Sequence, residues 1–204
     1  SEVSRRTFIH LSASGAAGTM LAATPSPARA GIGPNDTIRA AVLGLNGRGR
    51  AHLSGFASCK GVEVAVLCDP DKDVLARAAK DVERKTGKPV ATETDLRKVF
   101  ERKDVDVVSV ATPNHWHSLA TIWACQAGKD VYVEKPGSHN IFEGRKMVEA
   151  AEKYGRIVQH GTQSRSAPFI QAGIKMLREG LIGDVLFARA WNVQFRGNIG
   201  KAQP

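Results

Sequence analysis

From residue 37 onward, short apolar runs and amphipathic stretches alternate along the chain. The run TIRAAVL (37–43) has strand length, and 50–59 then reads as a helix. A second apolar run, 62–68, gives way to 71–85, where Val74, Leu75, Ala78, Ala79 and Val82 share one face at helical spacing. The pattern predicts a short strand at 89–91, a short helix at 94–101 and a buried strand, DVVSV, at 106–110. A helix over 118–127 stops at Gly128, and a strand follows at 130–133. Asn140 opens another helix with Glu143 three residues on as a capping-box partner, and Tyr154-Gly155 closes it. A further strand is predicted at 156–160. This alternation predicts βαβ units, and therefore an α/β fold with a doubly wound parallel sheet.

Residues 1–30 follow a different rule. Arg5 and Arg6 precede a mildly apolar stretch over 11–23, and the segment closes on Ala28-Arg29-Ala30, the three-part build of a signal peptide with an A-x-A cleavage site. Thirteen helical residues reach only about 20 Å, short of a hydrocarbon core of about 30 Å, so no stable membrane anchor is expected. The paired arginines in Ser4-Arg5-Arg6-Thr7-Phe8-Ile9 resemble the twin-arginine export signal. Export through that machinery, to the periplasm or beyond, is the expectation, with 31–36 as a linker.

The net charge of +9 changes this picture little. Basic residues such as Arg77, Lys80, Arg84 and Lys85 alternate with Asp73, Asp81 and Glu83, as on solvated helix faces, and no basic run is interleaved with aromatics. Nucleic acid is not an expected partner. The three cysteines, Cys59, Cys68 and Cys125, form no C-x-x-C pair, and each reads as a small buried apolar side chain.

The chemistry begins where the first strand ends. Gly44-Leu45-Asn46-Gly47-Arg48-Gly49 lies between a strand and a helix, the context in which G-x-G-x-x-G bares N–H groups that cradle a pyrophosphate. Asn46 replaces the second glycine, and asparagine tolerates unusual φ better than most residues. Asp69 ends the second strand, placed to accept hydrogen bonds from adenosine ribose hydroxyls. Its charge would repel a 2′-phosphate, so NAD is favoured over NADP, and 37–163 reads as a Rossmann-type NAD(P)-binding domain.

Three more segments fall at the C-terminal ends of predicted strands, where ligands bind in open α/β sheets. They are Ala111-Thr112-Pro113-Asn114-His115-Trp116-His117, Glu134-Lys135-Pro136 and Gly161-Thr162-Gln163-Ser164-Arg165. With the glycine turn, they closely resemble the Gfo/Idh/MocA oxidoreductases over about 37–194. The resemblance implies an NAD(P)-dependent enzyme that moves hydride between the nicotinamide and a sugar or cyclitol. Gly44, Asn46, Gly47, Arg48 and Gly49 would hold the pyrophosphate, and Asp69 the ribose. Thr112, Pro113, Asn114, His115 and His117 would line the cofactor toward the nicotinamide, and Gln163 would lie near its carboxamide or the substrate. Glu134 and Lys135 would flank the nicotinamide as catalytic residues. Lys135 would reach the substrate hydroxyl as orienting donor or member of a proton relay, and Glu134 would hold that ammonium charged. Pro136 would lock the turn through a cis Lys135–Pro136 bond.

His115 and His117 also form an H-x-H pair, but no carboxylate or cysteine lies nearby in sequence to complete a set, so no metal is expected. His52 and His160 read as packing or surface residues, and Trp116, Trp123 and Trp191 as core or pocket wall. Residues 164–204 resemble the start of the family's second domain, with a linking helix over 166–179 and a first strand over 184–195. The chain is accordingly expected to be the N-terminal part of a longer enzyme, a homo-oligomer when complete, whose family histidine lies outside it. Two other readings stay open. One is an NAD-dependent glycosidase of the same family, from an exported branch that tends not to keep a lysine after the glutamate, so that Lys135 weighs against it. The other is a nucleotide-binding domain that catalyses nothing.

Overall fold

The computed structural model describes residues 37–191. The predicted signal segment, the linker and the end of the predicted strand over 184–195 lie outside them. Six strands form one sheet: β1 (Ile38–Leu43), β2 (Val62–Cys68), β3 (Ala91–Glu93), β4 (Val107–Val110), β5 (Asp130–Glu134) and β6 (Val158–Gly161). Their order is β3-β2-β1-β4-β5-β6, and every adjacent pair is parallel. The helices are α1 (Arg48–Ser58), α2 (Lys72–Thr86), α3 (Leu96–Glu101), α4 (Asn114–Gln126), α5 (Ile141–Tyr154) and α6 (Pro168–Arg178). The α/β, doubly wound reading therefore holds.

Local chemistry explains most boundaries. Asp71 and Asp95 cap α2 and α3 by accepting hydrogen bonds from first-turn N–H groups. Asn140 caps α5 as expected, its Oδ1 accepting from the Glu143 N–H at 2.9 Å, but Glu143 Oε1 accepts from the Asn140 side-chain amide at 2.9 Å and not from its backbone N–H. Gly87 and Gly155 end α2 and α5 in the left-handed region. Helix α4 begins four residues before the predicted 118, because Pro113 supplies a suitable φ of −58° at the helix entrance. That places Asn114, His115 and His117 on the helix rather than on the strand-end loop.

The two faces of the sheet are packed differently. On one, Leu43, Val66, Val108, Val110, Val131 and Val133 meet Ala120, Ala124 and Cys125 of α4 and Met147 and Ala150 of α5. On the other, Val42 and Leu67 meet Val74, Leu75, Ala78 and Val82 of α2, with Leu53 and Phe56 of α1 packed against them. Near-continuous apolar strands are what burial on both faces requires. Burial pushes the Cys68 thiol up to about 12. Cys59, expected inside, is exposed, because it directly follows the last turn of α1 at the surface.

Two expectations near the C-terminal end change. Helix α6 forms but buries none of its residues within the described chain. Residues 184–191 form no strand, and Val185, Leu186 and Phe187 are exposed, because no described strand runs beside them to complete a ladder.

Candidate functional site

The strand order reverses between β1 and β4, and a cleft of about 750 Å³ opens there at the C-terminal ends of the strands. Gly44, Asn46, Gly47, Asp69, Thr112 and Pro113 line it, as the sequence predicts. Trp116 and Trp123 supply a wall, with ring centroids 6.4 Å apart. Pro70, Asp95 and Arg97 also line it; strand-end position was the available signal for these, but their loops carry no motif.

The glycine turn is shaped by close approach. Gly44 has φ +83°, and a Cβ there would lie 2.6 Å from the Ala111 carbonyl oxygen, so the turn and the β4 end touch through bare backbone. A Cβ on Gly49 would lie 1.9 Å from the Gly44 oxygen. Gly49 is thus buried beneath the turn, where it lets α1 pack on β1 and does not line the cleft. Asn46 does not use its tolerance for unusual φ, since no non-glycine residue among the described ones has a positive φ.

Several features of the cleft fit a dinucleotide. No side chain caps α1 at Gly47 or α4 at Pro113, in contrast to α2, α3 and α5. The N–H groups of Arg48 and Gly49 on α1 and of Asn114 and His115 on α4 remain free for an anionic or polar ligand, while those of Arg50 and Trp116 donate to the Gly47 and Pro113 carbonyls. The Thr112 hydroxyl is buried in the cleft wall without a hydrogen-bond partner. Asp69 is buried, with Oδ2 accepting from Leu45 N at 2.7 Å and Oδ1 from Asp71 N at 3.0 Å. Each oxygen keeps a lone pair for a ribose hydroxyl. Asp69 therefore also ties the glycine turn to the β2 end, a role its position in the sequence did not reveal.

Next to this cleft lies the Glu134-Lys135-Pro136 turn, whose Lys135–Pro136 bond is cis as expected. The expected Glu134–Lys135 ion pair is absent. Glu134 Oε1 instead accepts from Arg48 Nε at 2.8 Å and faces His52 Nε2 at 3.1 Å, and Oε2 accepts from the Lys135 backbone N–H at 3.1 Å. Successive strand residues face opposite sides, so Glu134 points to the α1 side of β5 while Val133 points to the other. Burial alone would push the Glu134 carboxyl up. The hydrogen bonds from Arg48, His52 and the Lys135 N–H outweigh it and hold the carboxyl below the usual glutamate range. Lys135 itself is exposed.

His117 is buried, with Nδ1 2.6 Å from the Pro136 carbonyl and Nε2 2.8 Å from that of Thr112. It joins two strand ends and does not itself line the cleft. Asn114 and His115 are exposed on the first turn of α4, outside the cleft lining, and His115 lies beside Trp116. Gln163 is exposed in a short 3-10 turn, Gln163–Ser166. His52, read from sequence as packing or surface, is a buried hydrogen-bonding residue.

The family model described as "Oxidoreductase family, NAD-binding Rossmann fold" (GFO_IDH_MocA) matches residues 38–162. The chain belongs to the Gfo/Idh/MocA oxidoreductases. Within the curated proteins, it is 32% identical over 206 residues to a glycosyl hydrolase family 109 protein of Saccharopolyspora erythraea, covering 90% of this chain and 44% of that one. It is 30% identical over 162 residues to an alpha-N-acetylgalactosaminidase of Shewanella oneidensis, covering 76% of this chain and 35% of that one. Among solved structures, myo-inositol 2-dehydrogenase from Lactobacillus plantarum matches with TM-score 0.66 and 25% identity over 73% of this chain and 43% of that one. The WlbA dehydrogenase from Bordetella pertussis, in complex with NADH and UDP-GlcNAcA, matches with TM-score 0.64 and 25% identity over 72% and 41%. The chain thus spans less than half the length of these relatives. The matched family is NAD-binding, in keeping with the cleft chemistry.

Asp69→Ala in the full-length protein is expected to weaken NAD binding about tenfold or more. It should also cost about 1–3 kcal/mol of stability, because the buried Leu45 N–H loses its acceptor. Calorimetric titration with NAD and a thermal melt measure both; an unchanged affinity would remove Asp69 from the cofactor site.

Proposed function

We propose that the full-length protein is an exported NAD-dependent oxidoreductase acting on a hydroxyl or carbonyl group of a sugar or cyclitol. The observation that carries this reading is the juxtaposition of two parts. A dinucleotide-shaped cleft sits at the switch point, and Arg48, the first residue of the helix behind its glycine turn, reaches Glu134 beside Lys135. When bound, the nicotinamide supplies the hydride acceptor or donor. The free N–H groups of Arg48 and Gly49 would hold the pyrophosphate, and Asp69 would orient the ribose and disfavour a 2′-phosphate. Lys135 Nζ orients the substrate oxygen as a hydrogen-bond donor and forms part of the relay through which its proton passes. Glu134 serves this step by anchoring the turn from which Lys135 projects, since its carboxylate is taken up by Arg48, His52 and the Lys135 N–H.

The test is to incubate the full-length protein with NAD and, separately, myo-inositol, scyllo-inositol and a UDP-linked hexuronic acid, following NADH absorbance. Stoichiometric NADH formation with any of them is the expected result, and none with a broad polyol and sugar panel would overturn it. The glycosidase reading is favoured by one specific observation, the 32% identity to a family 109 hydrolase. Release of free sugar from an N-acetylgalactosaminide without net NADH would decide for that reading.

Export rests on residues outside the described structure. Replacing both arginines, Arg5→Lys with Arg6→Lys, should retain the protein in the cytoplasm on cell fractionation. Undiminished export would sink the twin-arginine assignment. Among the described residues no helix is long and apolar enough to cross a membrane.

A further inference from the structure

Arg48 and His52 are four residues apart on α1 and therefore share one face of that helix. The strands beneath them offer polar positions at the matching alternation: Ser109 on β4, and Tyr132 and Glu134 on β5. The contacts run in one line. Ser109 Oγ is 2.7 Å from His52 Nδ1, His52 Nε2 is 3.1 Å from Glu134 Oε1, and Arg48 Nε donates to the same oxygen at 2.8 Å. The Tyr132 ring stands edge-on to the imidazole at a centroid distance of 5.2 Å. Ser109, His52 and Glu134 are all buried, so each hydrogen bond has a defined direction that water does not blur. Nε2 faces a carboxylate oxygen and must carry the proton. In the neutral ring Nδ1 is then the acceptor, and the Ser109 hydroxyl donates to it. The interaction is consistent along its whole length only in this tautomer.

We propose that Ser109 and His52 are positioning residues for the Glu134-Lys135 turn. The Glu134 carboxylate fixes the Nε2–H tautomer of His52, the Ser109 hydroxyl donates to Nδ1 and holds the ring in place, and His52 in turn orients the carboxylate, so that Oε2 holds the Lys135 N–H and sets the direction in which Lys135 leaves β5. The inference deepens the proposed role of Lys135 and rests on it for its catalytic meaning, while the relay itself is a property of the fold. Arg48 adds a second connection. Its Nε is committed to Glu134 while its side chain remains partly exposed beside the glycine turn, so the same carboxylate steadies the helix that faces the pyrophosphate and the turn that faces the substrate.

The test uses the full-length protein and three variants: Ser109→Ala, His52→Leu and His52→Gln. Residue-resolved amide hydrogen exchange should show the Lys135 N–H exchanging about tenfold faster in His52→Leu, with the amides of Ala41 and Val42 in β1 unchanged. His52→Gln, which keeps a donor near the Nε2 position, should restore most of the protection. Ser109→Ala, a small change that removes the donor to Nδ1 and leaves Glu134 on Nε2, should shift the His52 Nδ1 ¹⁵N resonance while Nε2 keeps its proton, and raise Lys135 exchange part of the way. Wild-type exchange at Lys135 in His52→Leu, or a rise spread evenly over the sheet, would overturn the proposal. So would an unaltered His52 Nδ1 ¹⁵N resonance in Ser109→Ala. Turnover in Lys135→Met tests a different statement: its persistence would end the catalytic reading of Lys135 and leave the exchange and ¹⁵N results to judge the relay.

Discussion

Lys135→Met in the full-length protein is expected to lower turnover by about a hundred- to ten-thousandfold, the range of a lost general acid or base, while changing the Kd for NAD less than about threefold. The asymmetry follows from where the residue stands. Lys135 lies outside the lining of the dinucleotide cleft, its side chain is exposed, and no described carboxylate pairs with its ammonium. Its removal breaks no buried contact, so the melting temperature should stay close to that of the parent. Glu134→Gln should behave differently. It leaves Arg48 and His52 as donors facing a neutral amide within a buried site, and stability should fall by about 2 kcal/mol or more along with activity. Full turnover in Lys135→Met would refute its role in proton transfer. A parallel collapse of stability in that variant would show instead that the lysine serves packing.

Gly49→Ala is expected to cost about 3 kcal/mol of stability or more and to weaken NAD binding about a hundredfold. The added methyl would lie 1.9 Å from the Gly44 carbonyl oxygen, with the buried side chain of Val42 behind it at 3.5 Å. Neither is the free end of a flexible chain, so α1 must move off β1 and the glycine turn with it. Gly47→Ala is the internal control. A Cβ there meets nothing within 4 Å, so stability should fall by far less than in Gly49→Ala. Thermal melts and calorimetric titration with NAD check both variants. Equal behaviour of the two would refute the separation of a packing glycine from a cleft glycine.

The contrast between these glycines marks what was legible in the sequence. Gly44-x-Asn46-x-x-Gly49 between a strand and a helix, followed by Asp69 at the next strand end, identified a nucleotide site because residue types at fixed spacing mark it, although Gly44 and Asp69 also make contacts distant in the chain. The bounds of α2 and α5 were equally legible, since Asp71, Asn140, Gly87 and Gly155 cap helices by local hydrogen bonds or local φ. Strand-end position was enough to nominate Thr112, Pro113, Glu134 and Lys135. The pattern did not separate residues that touch the cleft from those that brace it. His117 looked like a lining residue and is a buried strut between Thr112 and Pro136. His52 looked incidental and holds the centre of the buried polar line.

The sequence by itself therefore determined the α/β class, the position of the glycine turn and its acid, and the strand ends that carry the chemistry. Each depends on the periods of 2.0 and 3.6 residues and on interactions within one turn of chain. Only the tertiary structure decided that Glu134 pairs with Arg48 and His52 and not with its neighbour Lys135. Glu134, the last residue of β5, turns its carboxylate toward α1, and the packing of α1 over β4 and β5 brings together residues 86 and 82 positions distant in the chain. No local pattern encodes which helix face will cover which strand, because that choice is made by burying apolar surface over the whole sheet at once.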